Sequence, residues 1–187
     1  NRRQRQMCIR DRAYTELFPD VLPKATSFFM RLSPTAKGAT MFRVSLSHPL
    51  SLLAAVLPDM DARVLEPEVE LCAGGVEGRL HFGYEAAGRH IDCTLHVLHQ
   101  TEQPRAASYG FDDHIAHRVV RLPHYAMELE GGGRRVPMPD PMGLLVRSFL
   151  EEVAMDQPRL VDPAADPGMR HLVQLMDAMP PEDSPTP

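Results

Sequence analysis

The sequence predicts an α+β domain with a mostly antiparallel open sheet and helices packed on one face. The middle of the chain holds seven short segments of strand-like composition, separated by glycine-containing turns that favour hairpins. Amphipathic helical patterns stand before and after this block, an order typical of α+β folds. The 187 residues are 43% hydrophobic and 24% charged, which is enough apolar sequence for one domain with its own core.

The clearest strand signal is the alternation over residues 90–99. Ile91, Cys93, Leu95 and Val97 would point to one face, and His90, Asp92, Thr94 and His96 to the other, which predicts one core face and one wetter face. An earlier strand is predicted at 26–32. The strands predicted in the middle of the chain are 63–65, 68–73, 79–85, 90–99, 105–109, 115–121 and 126–130, with turns at Gly74-Gly75, Gly88 and Gly131–Gly133.

Three helices are predicted, at 47–57, 140–155 and 167–179. Ser47 would cap the first helix with Pro49 in its first turn, and Asp140 would cap the second with Pro141 at its first position. Residues 14–25 form a short helical or turn segment, broken by prolines 19 and 23. The helical spacing predicts apolar stripes for packing on the sheet: Met142, Leu145, Phe149 and Val153, broadened by Val146 and Leu150, and in the third helix Leu172, Val173, Leu175, Met176 and Met179.

Composition excludes several classes of partner. The net charge of -5 offers no basic surface for nucleic acid, and no run of 18 apolar residues could span a membrane. The three cysteines form no CxxC pair, so no disulfide framework is expected and a cytoplasmic setting is predicted. Cys72 and Cys93 lie in apolar stretches and are interpreted as small core residues. Residues 1–12 are interpreted as a non-native or disordered leader, 13–179 as the domain, and 180–187 as a disordered tail.

Three segments in this order resemble the Gfo/Idh/MocA family of oxidoreductases. They are SHPLSLLAAVL at 47–57, similar to the family's H-x-x-D-L-L helix, the strand meander over 63–130, and VPMPDPMGLLVRSFLEEV at 136–153, similar to the family's D-P…F-L-x-x-V segment. The resemblance implies a two-domain enzyme that transfers hydride with NAD or NADP on a sugar, polyol or related hydroxy compound. The C-terminal α+β half of such an enzyme covers the substrate and forms oligomer contacts through its sheet.

The nucleotide-binding half implied by this resemblance has no counterpart in the sequence. No G-x-G-x-x-G motif follows a strand and opens a helix, and Gly131–Gly133 fits a hairpin turn instead. We therefore expect NAD or NADP to be bound by the full-length protein and neither to be bound by this chain alone. A small-molecule substrate and a homo-oligomer through the open sheet face are expected as partners.

His48 is the candidate catalytic residue, because it matches the family histidine that acts as acid or base on the substrate hydroxyl. An imidazole titrates near neutral pH, and a helix N-terminus would favour its neutral form. The sequence departs from the family at Val44 and Ser51, where an aspartate is common, so the orienting carboxylate is missing or supplied elsewhere. A surface histidine at a helix start is the alternative role. At the level of the protein, the alternatives are a non-catalytic binding or scaffold protein of the same fold and an unrelated α+β binding domain.

No metal site is predicted. His96 and His99, like His114 and His117, are three residues apart and would point to opposite faces of a strand. Two further histidines, at positions 81 and 90, could meet across a hairpin, but a third ligand is not evident. Asp112 is interpreted as part of a loop between strands.

Overall fold

The computed structural model describes residues 13–72, 74–138, 141–154 and 167–179, and these residues build an eight-stranded sheet. The order of strands across the sheet is β2-β3-β4-β1-β5-β6-β7-β8. The predicted fold class, α+β with an open and mostly antiparallel sheet, is confirmed. The strands are β1 Ser27–Leu32, β2 Arg63–Leu71, β3 Glu77–Ala86, β4 Arg89–Leu98, β5 Ala107–Phe111, β6 His114–Arg121, β7 Ala126–Gly131 and β8 Arg134–Met138.

The first strand of the chain occupies the centre of the sheet. β1 pairs in parallel with β4 and antiparallel with β5, and every other neighbouring pair among the described strands is antiparallel. Short turns connect β2 through β4 and β5 through β8. The glycines predict the turns after β2, β3 and β7, where Gly74, Gly75, Gly88, Gly132 and Gly133 have positive φ angles. The turns after β5 and β6 contain no glycine, and Asp112 and Tyr125 have the positive φ angles there. The link from β1 to β2 is longer and contains the helices that cover the sheet.

One face of the sheet forms the core. In the predicted helical or turn segment, residues 13–17 are helical and Leu22–Lys24 form a 3-10 turn. The other described helices are a single turn at Thr40–Arg43, α1 Ser47–Val56, α2 Pro141–Ala154 and α3 Pro167–Asp177. The alternation predicted for β4 is confirmed, because Ile91, Cys93, Leu95 and Val97 are buried and the even-numbered positions are not. The largest fully buried side chains are Tyr14, Phe28, Met41, Phe42, Leu46, Leu53, Leu80, Tyr84, Ile91, Leu95, Phe111 and Leu129.

The opposite side of the sheet, which carries His90, Asp92, Thr94 and His96 of β4, is called the open face below. Side chains on this face are exposed or half-buried in β3 and β4. The sequence predicts one wetter face for β4, and this prediction is confirmed.

Several local predictions are wrong for identifiable reasons. Ser47 does not cap α1, because the chain enters this helix from the preceding turn with helical backbone angles already at Val44 and Leu46. Cys72 is exposed because β2 ends one residue before it, whereas Cys93 is buried as predicted. The predicted cap Asp140, like Cys8, lies outside the described residues.

The strand boundaries also differ at two places. The predicted strands 63–65 and 68–73 are one strand, β2, with a bulge between Leu65 and Glu68 and a positive φ at Glu66. β8 is not predicted, because its sequence RRVPM is neither β-branched nor alternating enough to signal a strand. Pro137 fits there because β8 is an edge strand, where an amide donor is not required.

The apolar stripes of the last two helices are only partly used. Val146, Leu150 and Val153 of α2 are 52%, 59% and 60% exposed, so this part of the predicted stripe does not pack on the sheet. The side chains of Met142, Leu145 and Phe149 lie outside the described residues. In α3, Leu175 and the following Met179 are buried and Leu172 is half-buried, whereas Val173 and Met176 are exposed.

Helix α3 covers the exposed edge of β2 with side-chain donors. Arg170, His171 and Gln174 donate to the carbonyl oxygens of Met60, Ala62 and Val64, at 2.7, 2.8 and 2.9 Å. Met60 and Ala62 lie in the loop that leads into β2, and Val64 lies in β2 itself, an edge strand that pairs on its outer side with no other described strand. The helix thereby satisfies backbone acceptors and blocks the pairing of another strand at this edge.

Candidate functional site

His48 lies in the first turn of α1 and is half-buried. Its backbone N–H donates to the carbonyl of Ser45 at 3.0 Å, which continues the helical turn that leads into α1. Pro49 and Leu50, the next two residues, are buried and anchor this turn to the core. The imidazole is therefore attached to a rigid element while part of it remains accessible, which suits a group that exchanges a proton with a ligand.

The residues four before and three after His48 do not supply a carboxylate. Val44 is 53% exposed and Ser51 is half-buried. A valine side chain has neither a donor nor an acceptor, and a serine hydroxyl does not carry the negative charge that would stabilise an imidazolium. Neither of these two positions therefore provides a group that could orient the His48 imidazole through a negative charge.

The loop before α1 is held in place by contacts with the end of the sheet. The ring of His99, just beyond β4, hydrogen-bonds the carbonyl of Ala36 through Nδ1 at 3.1 Å. The N–H of Gly38 donates to Gly75 in the β2–β3 turn at 2.7 Å. Both glycines have positive φ angles, and a Cβ at position 75 would lie 3.1 Å from the backbone of Gly38. This close approach requires glycine and fixes the path of the chain toward His48.

The open face carries most of the titratable side chains that the sheet displays. A set of paired residues, called the charged rung, crosses all eight strands at one level. From β2 to β8 its members are Glu70, Arg79, His96, Arg31, Ser108, His117, Glu130 and Arg135.

His96 of the charged rung lies with its Nε2 2.8 Å from Oε1 of Glu77, a neighbouring residue outside the rung. Arg135 and Glu130, both in the rung, form an ion pair at 3.0 Å. Arg31 stands at the centre of the sheet, half-buried, and its Nε is buried with no hydrogen-bond partner among the described residues. An unpaired donor of this kind is costly unless a partner molecule supplies an acceptor. The charged rung is not evident from the sequence, because only the register of the strands shows which residues share a rung.

The histidines do not form a metal site. No group of three or more metal-ligating side chains occurs within the described parts of the chain. His81 and His90 do not meet, because His81 stands opposite Thr94 at 3.0 Å and His90 contacts Asp92 at 3.0 Å. The possibility that this pair meets across the hairpin is therefore wrong.

Asp112 has a structural role. It lies in the β5–β6 turn with a positive φ, as the loop interpretation predicts, and its Oδ1 accepts hydrogen bonds from the N–H and hydroxyl groups of Thr26 and Ser27 at 2.9 to 3.2 Å. Partial burial raises the pKa of Asp112, but the four hydrogen bonds outweigh it and hold that pKa below the usual 3.8. The carboxylate fixes the start of β1.

A polar cleft of about 360 Å³ lies at the other end of α1. It is bounded by the loop after this helix and by the β3–β4 turn, and it holds residues of both charges: Asp59, Asp61, Arg63, Glu85, Arg89 and His90. Asp59 accepts hydrogen bonds from the N–H groups of Ala87 and Asp61, which lower its pKa. The cleft does not include His48, so the structure does not bring the two features together.

Comparisons with known proteins give a likeness of fold. No family model and no curated protein matches this sequence. A solved dehydrogenase (MviM) from Clostridium difficile matches with a TM-score of 0.52 and 11% identity over 95% of this chain and 61% of its own length. A Thermotoga maritima protein described as an oxidoreductase matches with a TM-score of 0.50 and 11% identity over 90% of this chain and 56% of its own. The chain thus spans about three fifths of the solved structures it matches.

No helix in the described residues is long and apolar enough to cross a membrane.

Proposed function

The chain shares the fold of the Gfo/Idh/MocA-type oxidoreductases, and on this basis we propose that it is the substrate-covering and oligomerisation half of an NAD- or NADP-dependent oxidoreductase. The reaction is hydride transfer on a sugar, polyol or related hydroxy compound. The proposal rests on one observation, the similarity of fold between this chain and a solved dehydrogenase. The match covers 61% of the length of that dehydrogenase.

The nicotinamide cofactor would be held by a separate nucleotide-binding half. The described residues do not fit a dinucleotide, because their strands are joined mainly by hairpin turns, and the one parallel pair, β1 and β4, is not linked by a glycine-rich turn into a helix. The chain by itself is therefore proposed to bind neither NAD nor NADP.

His48 is proposed as the acid or base for the substrate hydroxyl. When an alcohol is oxidised to a carbonyl, the hydroxyl proton must leave, and a neutral imidazole accepts it; reduction returns the same proton. The half-buried position in the first turn of α1 and the loop fixed by Gly38 and His99 support this role.

A non-catalytic binding or scaffold protein of the same fold is the second candidate. Val44 and Ser51 favour it, because a site without the neighbouring carboxylate lacks the group that would orient His48 and stabilise its charged form. The same fold can serve either purpose, since function depends on the site and not on the architecture.

The test is to sequence the coding DNA on both sides of this segment and to express the complete reading frame. We expect an in-frame nucleotide-binding domain and reduction of NAD or NADP with a panel of sugars and polyols, followed by absorbance. His48→Asn should lower kcat at least about a hundredfold, in the range of a lost general base, while the adjacent Ser47→Ala should not. A cofactor-binding protein with no turnover on the panel would favour the non-catalytic alternative, and a reading frame without a nucleotide-binding domain would refute the enzyme.

A homodimer through the open face is proposed as the assembly. The face is wide, carries half-buried apolar residues such as Phe29 and Ile115, and holds the unpaired Nε of Arg31. A surface of this kind is more typical of an interaction site than of bare exterior. The pairing is expected to be isologous, with an interface of standard size or larger.

A cytoplasmic location is proposed from the free thiols of Cys72 and Cys93.

A further inference from the structure

Arg31, in the middle of the charged rung, has no partner for its charge among the described residues. Its side chain is half-buried, its Nε is buried without a hydrogen-bond partner, and no ion pair in this part of the chain includes it. Withdrawing a guanidinium from water in this way is costly, because a donor that leaves solvent gains no acceptor in exchange. The side chain is therefore short of an acceptor that a ligand could supply.

The carboxylates of the open face stand where they do not neutralise Arg31. On the charged rung the nearest ones are Glu70 and Glu130, each three strands away from β1, or about 14 Å. Glu77 of β3 is nearer, but His96 contacts it at 2.8 Å and Arg79 at 3.7 Å. The sheet itself therefore provides no counter-charge for Arg31.

Two buried serines flank Arg31. Ser108 of β5 pairs with it across the sheet and is 7% exposed. Ser33 lies two residues beyond Arg31 and is 6% exposed, and its Oγ has no hydrogen-bond partner among the described residues. The chain continues beside the end of β4 here, because the N–H of Gln100 donates to the carbonyl of Pro34 at 2.9 Å. In such an extended segment, residues two apart share a face, so two unsatisfied polar groups lie on the same side of the sheet.

This combination of side chains suits an oxoanion. The guanidinium carries parallel N–H donors that match two oxygens of a phosphate, sulfate or carboxylate, and its charge strengthens both hydrogen bonds. A serine hydroxyl donates one further hydrogen bond. Because the two serines flank the arginine at different positions, the donors can serve three oxygens that do not lie in one plane. A tetrahedral oxoanion meets this requirement better than a planar carboxylate with two oxygens.

We propose that Arg31, Ser33 and Ser108 form a binding site for a tetrahedral oxoanion, either inorganic phosphate or the phosphoryl group of a small metabolite. Arg31 supplies the positive charge, and the hydroxyls of Ser33 and Ser108 supply donors beside it. All three side chains belong to one chain and none contacts His48. The site thus depends on neither the proposed hydride transfer nor the proposed homodimer.

Calorimetric titration of this chain with inorganic phosphate at low ionic strength tests the site. We expect saturable binding with a dissociation constant of about 1 mM or tighter, as a few charge-assisted hydrogen bonds would give. Arg31→Gln should weaken binding at least about tenfold, and Arg31→Lys should also weaken it, because lysine keeps the charge but lacks the parallel donors. Arg79→Gln is the matched control on the same rung. Its side chain is 53% exposed beside Glu77, so binding should stay within about twofold of the parent.

Glycerol 3-phosphate, titrated in the same way, separates the two sources of the anion. Tighter binding of the ester identifies the phosphoryl group of a metabolite as the ligand, and tighter binding of inorganic phosphate identifies the free ion. Sodium acetate and sodium chloride at the same ionic strength are controls for a planar anion and for general screening. Equal binding of acetate would overturn the tetrahedral preference, and an equal response to chloride would overturn the site.

Circular dichroism shows whether each variant is folded. If Arg31→Gln does not fold, the comparison is made with Arg31→Lys and with Ser33→Ala, which removes only one hydroxyl and should weaken phosphate binding several-fold, about the loss of one hydrogen bond. The proposal is overturned by a parent protein that shows no saturable phosphate binding. It is equally overturned by folded variants at positions 31 and 33 that bind phosphate as tightly as the parent.

Discussion

The hydroxyl of Tyr14 joins the N-terminal segment of the domain to the sheet, and its removal should cost stability. The side chain is 1% exposed, and the hydroxyl accepts a hydrogen bond from the N–H of Phe111 at 2.9 Å and donates to the carbonyl of His114 at 2.7 Å. The ring lies 5.1 to 5.6 Å from those of Phe18, Tyr109 and Phe111. Burial raises the pKa of Tyr14 to about 12, so the hydroxyl remains protonated at neutral pH.

Tyr14→Phe keeps the ring contacts and deletes only the hydroxyl. It leaves a buried amide and a buried carbonyl without this partner, and a buried group left unsatisfied costs about 1–3 kcal/mol. We expect a loss of about 2 kcal/mol in the free energy of unfolding. For a domain of this size, that corresponds to a decrease of roughly 4–8 °C in Tm.

The assay is thermal unfolding followed by circular dichroism, with urea unfolding as a second measurement. Tyr125→Phe is the matched control, because Tyr125 is 64% exposed in the β6–β7 turn and its hydroxyl can be replaced by water. We expect the control to lie within about 0.5 kcal/mol of the parent. If Tyr14→Phe also falls within that range, the N-terminal segment does not dock on the sheet as described.

Three further predictions concern the cofactor, the β5–β6 turn and the interface. Calorimetric titration of this chain with NAD or NADP should show no binding tighter than about 100 μM, which corresponds to roughly -5.5 kcal/mol. A tighter dissociation constant would refute the proposal that the chain alone lacks a site for the cofactor. Asp112→Ala should lose about 1–2 kcal/mol at pH 7 because Thr26 and Ser27 lose a charged acceptor. Since the folded pKa of Asp112 lies below 3.8, its contribution is present above 3.8 and lost as the pH falls through the folded value. Urea unfolding should therefore show the difference from the parent shrinking as the pH falls below 3.8, and a difference constant with pH would contradict the role of the carboxylate. His96→Glu should weaken dimerisation in light scattering at least about tenfold, because a second carboxylate beside Glu77 would have to be desolvated, whereas His48→Ala should not change it. Equal effects of these two substitutions would mean that the interface involves another face.

Local sequence signals predict most of the framework. The alternation in β4 identifies its buried face because side chains in a strand alternate with a period of two, whatever the neighbouring strand. Glycines with positive φ mark turns for a similarly local reason. The missing serine cap of α1 was not predictable in this way, because the chain enters the helix with helical backbone angles from the turn at Thr40–Arg43, and this turn packs on β3 and β4.

For the candidate site, too, some features could be predicted from the sequence and others could not. The sequence by itself determined the fold class, the core face of the sheet and the position of His48 at the start of a helix, because each depends on the periodicity or spacing of nearby residues. The tertiary structure alone decided the insertion of β1 between β4 and β5, the contact of Gly38 with Gly75 that guides the chain to α1, and the charged rung across eight strands. The physical reason is that these features depend on the order and register of strands that are far apart in the chain. The energy of pairing two such strands depends on contacts between residues distant in sequence, and the sequence of one segment does not show these contacts.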